Sequence, residues 1–168
     1  MIILGLDPGT SLIGYGIINY SKNTTNVIDY GTIVSAKNIP TKERILEVNN
    51  QLNNIIARYQ PDHISIEELF FFKNAKTVIA VAEMRGALLA FSALKNIPIH
   101  EFTPLQIKQS VTGYGRAEKS QVQEMVRLIL ELDTIPKPDD ASDALAAAIC
   151  CAHTLKPTED KVMPKNTR

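Results

Sequence analysis

The sequence has no tryptophan, only two cysteines and only three histidines in 168 residues, and each shortage closes off a class of chemistry. Cys150 and Cys151 are neighbours inside an Ala-rich apolar stretch. Adjacent cysteines rarely bridge each other and no CxxC spacing exists, so they read as small core residues in a reducing compartment. His63, His100 and His153 are scattered, with no partner at metal-ligand spacing, which argues against a zinc site. Net charge is lacking too, with Lys+Arg 18 against Asp+Glu 18, so the molecule as a whole is no polycation. No apolar run reaches the roughly 20 residues of a membrane span. The opening MIILGL is too short for a signal segment, has no basic flank and runs straight into Asp7. These features predict a cytoplasmic protein with no membrane partner.

What is present is the balance of a soluble globular chain, 45% hydrophobic and 21% charged, at a length that suits one ordinary domain. We expect that domain over residues 1–155, followed by a polar, flexible tail over 156–168. The charges are unevenly laid out. Residues 73–119 carry seven basic side chains against three acidic ones, and the segments on either side each carry a net charge of −2. A basic middle between acidic flanks suits an electropositive surface paired with a carboxylate site.

Strands come first and helices later. IILGL and IGYGIINY are apolar, partly β-branched segments parted by the turn-forming DPGTS, and VIDYGTIVS follows the polar SKNTTN; residues 1–35 therefore predict a three-stranded meander. From Pro40 and Thr41 the period changes, with Ile45, Val48, Leu52, Ile55, Ile56 and Tyr59 recurring at three and four until Pro61, which predicts a helix. DHISIEE is a short strand with Ile64 and Ile66 on one face, AKTVIAVAEMRGALLAFSALKN a long helix apolar on most sides, and IPIHEF another strand. Thr103 and Pro104 are an N-cap and a first-turn proline, and EKSQVQEMVRLILEL is an amphipathic helix. DDASDALAAAICCAHTL is the last helix, with Asp139 as its N-cap, and Gly113 and Gly115 predict a flexible loop between helices. This order predicts an α/β fold in three layers: a mixed five-stranded sheet with helices on both faces, the first strand and HISIEE being parallel neighbours.

In such sheets, sites form at the carboxyl ends of the strands. Asp7 ends the first strand and Glu67 the fourth, so two carboxylates distant in sequence converge on one edge. Asp140 and Asp143 are three apart and share a face of the last helix, whose alanines permit close packing on the sheet. Four carboxylates in one cleft repel one another and take up protons unless a cation neutralises them. Oxygen donors without histidine or thiol call for Mg²⁺ or Mn²⁺. Two such ions, roughly 3.5–4 Å apart, form the clamp that activates water and stabilises the leaving oxygen in phosphodiester hydrolysis. Plainer readings compete at each position. Asp7 before Pro-Gly is a common turn residue, and Asp139 and Asp140 suit the start of a helix. Strand alternation admits one of Glu67 and Glu68 to a given face without saying which. The agreement of all four acids on one sheet edge favours the cleft.

The blocks DPGTSLIGYG, IEELFFFKNAKT, EMRGAL, TPLQIKQSVTGYGRAEKSQVQEMV and PDDASDALAAAI together resemble the RuvC family of crossover junction endodeoxyribonucleases, the Holliday junction resolvases, over about the first 155 residues. The resemblance implies a ribonuclease H-like fold, a homodimer, two Mg²⁺ ions per active site with Mn²⁺ as a substitute, and symmetrical nicking of two opposing strands of a four-way DNA junction. It assigns the catalytic, metal-holding acids to Asp7, Glu67, Asp140 and Asp143, choosing Glu67 over Glu68 and Asp140 over Asp139. It places Phe70 at the DNA, where an aromatic at a strand exit wedges against or stacks on unstacked bases. It places Lys108 and Lys119 on DNA as well, with Arg116 a further candidate, and makes a RuvA–RuvB branch-migration complex a candidate partner. The outer face of the long helix becomes a candidate dimer interface; core packing is the plainer use of so apolar a helix.

Two other functions compete. LDPGTSLIGYG also resembles the first phosphate loop of actin-like ATPases and sugar kinases, which need two such lobes where this chain supplies one. A non-catalytic DNA-binding module is the other, and an acidic cleft, which repels phosphate, argues against it.

Overall fold

The computed structural model describes residues 1–22, 24–69 and 75–155, the backbone alone for 75–77. Phe70 and the tail over 156–168 lie outside the described residues. Five strands, β1 (Ile2–Asp7), β2 (Leu12–Tyr20), β3 (Thr25–Val34), β4 (His63–Glu67) and β5 (Ile99–Phe102), form a sheet in the order β3-β2-β1-β4-β5. The meander β1-β2-β3 is antiparallel, while β4 runs parallel to both β1 and β5. This is the mixed five-stranded sheet that the order of elements predicts.

Alternation along β1 decides what each face carries. Leu4 and Leu6 point into a core shared with Val48, Leu52 and Ile56 of helix α1 (Thr41–Tyr59) and with Met84 and Leu88 of α2 (Ala75–Leu94). Ile3 points the other way, into a core built with α3 (Pro104–Thr112), α4 (Lys119–Ile129) and α5 (Asp139–Thr154). Burying each of these large aliphatics contributes about 1.5–3 kcal/mol, so the sheet is clamped from both sides by independent cores. Among the described residues no helix is long and apolar enough to cross a membrane.

Helix ends follow local chemistry. Helix α1 stops where Gln60 turns left-handed at φ 46° ahead of Pro61. Helix α3 starts as expected, with Thr103 Oγ1 accepting from the Gln106 N–H and the Gln106 side chain accepting from the Thr103 N–H. Two expectations change. The N-cap of α5 is Pro138, not Asp139, whose carboxylate is drawn instead to Lys137 and Lys119. The turn after α3, expected to be a flexible loop, is tied down. Gly113 takes the left-handed cap at φ 75°, the Gln109 amide donates to the Gly113 carbonyl at 2.7 Å, and Gln109 Oε1 accepts from the Gly115 N–H at 2.9 Å.

Candidate active site

Asp7 is the last residue of β1 and Glu67 the last of β4. The parallel register pairs Leu6 with Ile66, so the two carboxylates stand one step further along neighbouring strands. Ser65 shows which face they share. Its hydroxyl donates to the Ala147 carbonyl of α5 at 2.7 Å, and Glu67, two residues on, points to the same side. Glu68 lies past the strand end, its N–H bonded to the Phe102 carbonyl at 2.8 Å, and joins Asp7, Pro8, Glu67, Leu69 and Pro104 around an open cleft.

Helix α5 reaches this corner because glycines of β1 and β2 leave no side chain where it crosses them. A Cβ on Gly5 would meet the Ala144 carbonyl oxygen at 2.0 Å, and one on Gly14 would meet that of Asp140 at 1.9 Å. Backbone therefore rests on backbone, and Asp140 and Asp143 are set beside Asp7. Gly14 is also the residue that Asp7 pairs with on β2.

The electrostatics are those of crowded acid. Burial, then the carboxylates of Glu67, Asp143 and Asp140, push Asp7 up to about 8 against the opposing pull of Lys119. Burial and Asp143 push Glu67 up to about 7, opposed by Lys108 and Lys119. Burial also holds Asp143 above the usual carboxylate range, although Lys119 donates to its Oδ2 at 2.8 Å. Lys119 feels burial in the other direction, but the hydrogen bond to Asp143 and the charges of Asp143, Asp139 and Asp140 outweigh it and keep the ammonium form favoured.

Glu67, Lys108, Lys119 and Asp143 share a cavity of about 210 Å³ floored by Ile107, Val122 and Ala146. Lys108 Nζ donates to the Ala117 carbonyl at 2.8 Å, and Arg116 stands exposed on the turn between α3 and α4. The structure thus gathers the four acids with Lys108 and Lys119, and does not bring Arg116 among them. Among the described residues no three carboxylate, imidazole or thiol groups close around a single ion position as they stand. Lys119 pairs directly with Asp143 and Asp139, and Lys108 adds a second positive charge that acts on Glu67.

One supporting residue escaped the sequence reading. Arg85 of α2 donates from Nε to the Glu67 carbonyl at 3.2 Å and pairs its guanidinium with Glu101 of β5. The signal was the helix's one arginine, set in a mostly apolar helix where a half-buried charge needs a partner.

Comparison with known proteins places this geometry among relatives. Residues 3–151 match the family described as Crossover junction endodeoxyribonuclease RuvC. The protein of that name from Alkaliphilus oremlandii is 52% identical over 159 residues, covering 95% of this chain and 97% of its own. That of Alkaliphilus metalliredigens is 49% identical over 154 residues, covering 92% and 94%. Among solved structures, Thermus thermophilus RuvC in complex with Holliday junction substrate superposes with a TM-score of 0.86 at 29% identity, covering 94% of this chain and 99% of that one.

Proposed function

The chain belongs to the crossover junction endodeoxyribonuclease RuvC family, and on that premise we propose that it nicks four-way DNA junctions symmetrically on two opposing strands. The observation that carries the proposal is the meeting of Asp7, Glu67, Asp140 and Asp143 at one sheet edge beside two lysines. Carboxylates at a phosphate-binding surface are tenable only with a cation. The donor set fits Mg²⁺, or Mn²⁺ in its place, because every ligand is a hard oxygen and burial already resists leaving these acids charged and uncompensated. Asp7, Glu67, Asp140 and Asp143 would hold the ions, two per site, and the ions would supply Lewis-acid activation of water and neutralise charge on the departing 3′ oxygen.

The protein's own groups position the substrate. Lys108, Lys119 and the exposed Arg116 take the phosphates on either side of the scissile bond, and Phe70 stacks on bases unpaired at the crossover. Hydrolysis leaves 5′-phosphate and 3′-hydroxyl ends that a ligase can seal.

The outer face of α2, where Ile79 and Leu94 are exposed by 67% and 79%, is the dimer contact, giving two sites related by the two-fold axis of the junction. Residues 1–155 form the nuclease domain. The protein works in the cytoplasm, with a RuvA–RuvB complex as its branch-migration partner. Asp7→Asn tests the reading: it binds a four-way junction as the parent does and does not cut it, whereas retained cutting removes the four-acid site.

A further inference from the structure

Lys119 opens α4, yet its ammonium lies against α5, 2.8 Å from Asp143 Oδ2 and 3.7 Å from Asp139 Oδ2. The two carboxylates depend on it unequally. Asp139 also has Lys137 Nζ at 2.8 Å from its Oδ1, whereas among the described residues no second cation pairs with Asp143. Losing Lys119 therefore leaves Asp139 compensated and Asp143 bare.

The lysine is free to leave. Its backbone is fixed at the turn into α4, where Gln121 Oε1 accepts from the Glu118 N–H at 2.8 Å, but its side chain is 53% exposed. Rotation about the four-carbon stem carries the ammonium away from Asp143 without any shift of α4. A DNA phosphate and the Asp143 carboxylate thus compete for one ammonium. Lys108 does not share this behaviour, because its Nζ donates to the Ala117 carbonyl at 2.8 Å and not to an acid of the cluster, and two of its three N–H groups stay available to phosphate.

The geometry points to Lys119 as a stand-in cation: it occupies Asp143 in the DNA-free protein and releases that carboxylate to a divalent ion when a backbone phosphate draws the lysine off. The inference rests on the proposed reading of the acids as metal ligands. It makes DNA binding and metal binding mutually reinforcing, since whatever removes Lys119 from Asp143 favours the ion, and by linkage the ion favours a lysine free for phosphate. Loading of the ion at Asp143 is thereby favoured in the DNA-bound protein.

The test is Mn²⁺ binding to the full chain without DNA, followed by the EPR signal of the free ion, for the parent, Lys119→Met, Lys119→Arg and Asp143→Asn. Lys119→Met is expected to bind Mn²⁺ about fivefold more tightly, the fold-change equivalent to an exposed ion pair near 1 kcal/mol, while its affinity for a four-way junction in chelator falls. Lys119→Arg keeps the parent value and Asp143→Asn weakens binding. A lysine that only contacts DNA leaves Mn²⁺ affinity unchanged in Lys119→Met, and a lysine that only supports the fold lowers it; either result overturns the inference while leaving the metal reading intact. Absence of Mn²⁺ binding in parent and Lys119→Met alike overturns both.

Discussion

Gly14 of β2 lies directly against the backbone of Asp140, so that a Cβ on Gly14 would meet the Asp140 carbonyl oxygen at 1.9 Å and its carbon at 2.5 Å. Neither atom is the end of a flexible side chain, so the helix itself must yield. Gly14→Ala is expected to lower stability by about 1–3 kcal/mol in urea unfolding and to cut junction nicking further than the lost stability explains. A Cβ on Gly86 of α2 would meet nothing within 4 Å, and Gly86→Ala is expected to leave stability unchanged or raise it by up to about 1 kcal/mol. Equal behaviour of the two variants contradicts the account of how α5 is seated.

Proton uptake by the acids gives stability a definite dependence on pH. Asp7 is raised from 3.8 to about 8 and Glu67 from 4.5 to about 7, so between about pH 4 and 8 the folded protein holds protons that the unfolded chain has released. Stability of the metal-free protein from these groups is therefore greatest below pH 4 and is lost as the pH rises through 7 and 8. Melting in chelator from pH 5 to 9 reads it as the difference between parent and Asp7→Asn, whose slope is flatter. Divalent ions compete with the same protons, so Mn²⁺ affinity rises over that range. A difference that does not change with pH contradicts the burial of Asp7 among acids.

Arg85 supports Glu67 through its backbone carbonyl and is anchored by Glu101. Arg85→Ala is expected to cost about 1–3 kcal/mol of stability, because the Glu101 carboxylate and the Glu67 carbonyl lose their donor. The nicking rate falls with it. Affinity for the junction in chelator stays at the parent value, since Arg85 lies behind the strand. A loss of affinity with an unchanged rate assigns Arg85 to the DNA surface instead.

Arg116 and Lys108 separate two kinds of basic residue. Arg116 is exposed, so Arg116→Ala is expected to weaken junction binding and lower its salt slope by about one, with no change in melting temperature. Lys108 also ties α3 to Ala117, so Lys108→Ala is expected to weaken binding and lower the melting temperature together. Titration at several salt concentrations beside a thermal melt distinguishes them.

Much of the site was legible in the chain because strand ends and helix periodicity are local. Asp7 and Glu67 close apolar runs, and Asp140 and Asp143 share a helical face, so their convergence follows from sheet order. Choosing between Glu67 and Glu68 on physical grounds required knowing which face α5 covers, and the bond from Ser65 to Ala147 joins residues 82 apart in sequence. Lys119 against Asp143 is likewise a contact across 24 residues that no local pattern announces. The misplaced cap at Asp139 has a local cause: Pro138, just ahead of it, takes the cap position, and Lys137 draws the Asp139 carboxylate aside. The role of Gly5 and Gly14 was open to inspection, since glycine inside a strand marks a close backbone approach.

The most direct measurement is nicking of an end-labelled four-way junction beside a linear duplex of the same sequence, each with Mg²⁺ and with EDTA. Paired symmetrical nicks on the junction alone, and only with the metal, are the predicted result. Cutting of the duplex at a comparable rate, or cutting of the junction in EDTA, contradicts a metal-dependent, structure-selective nuclease built on these four acids.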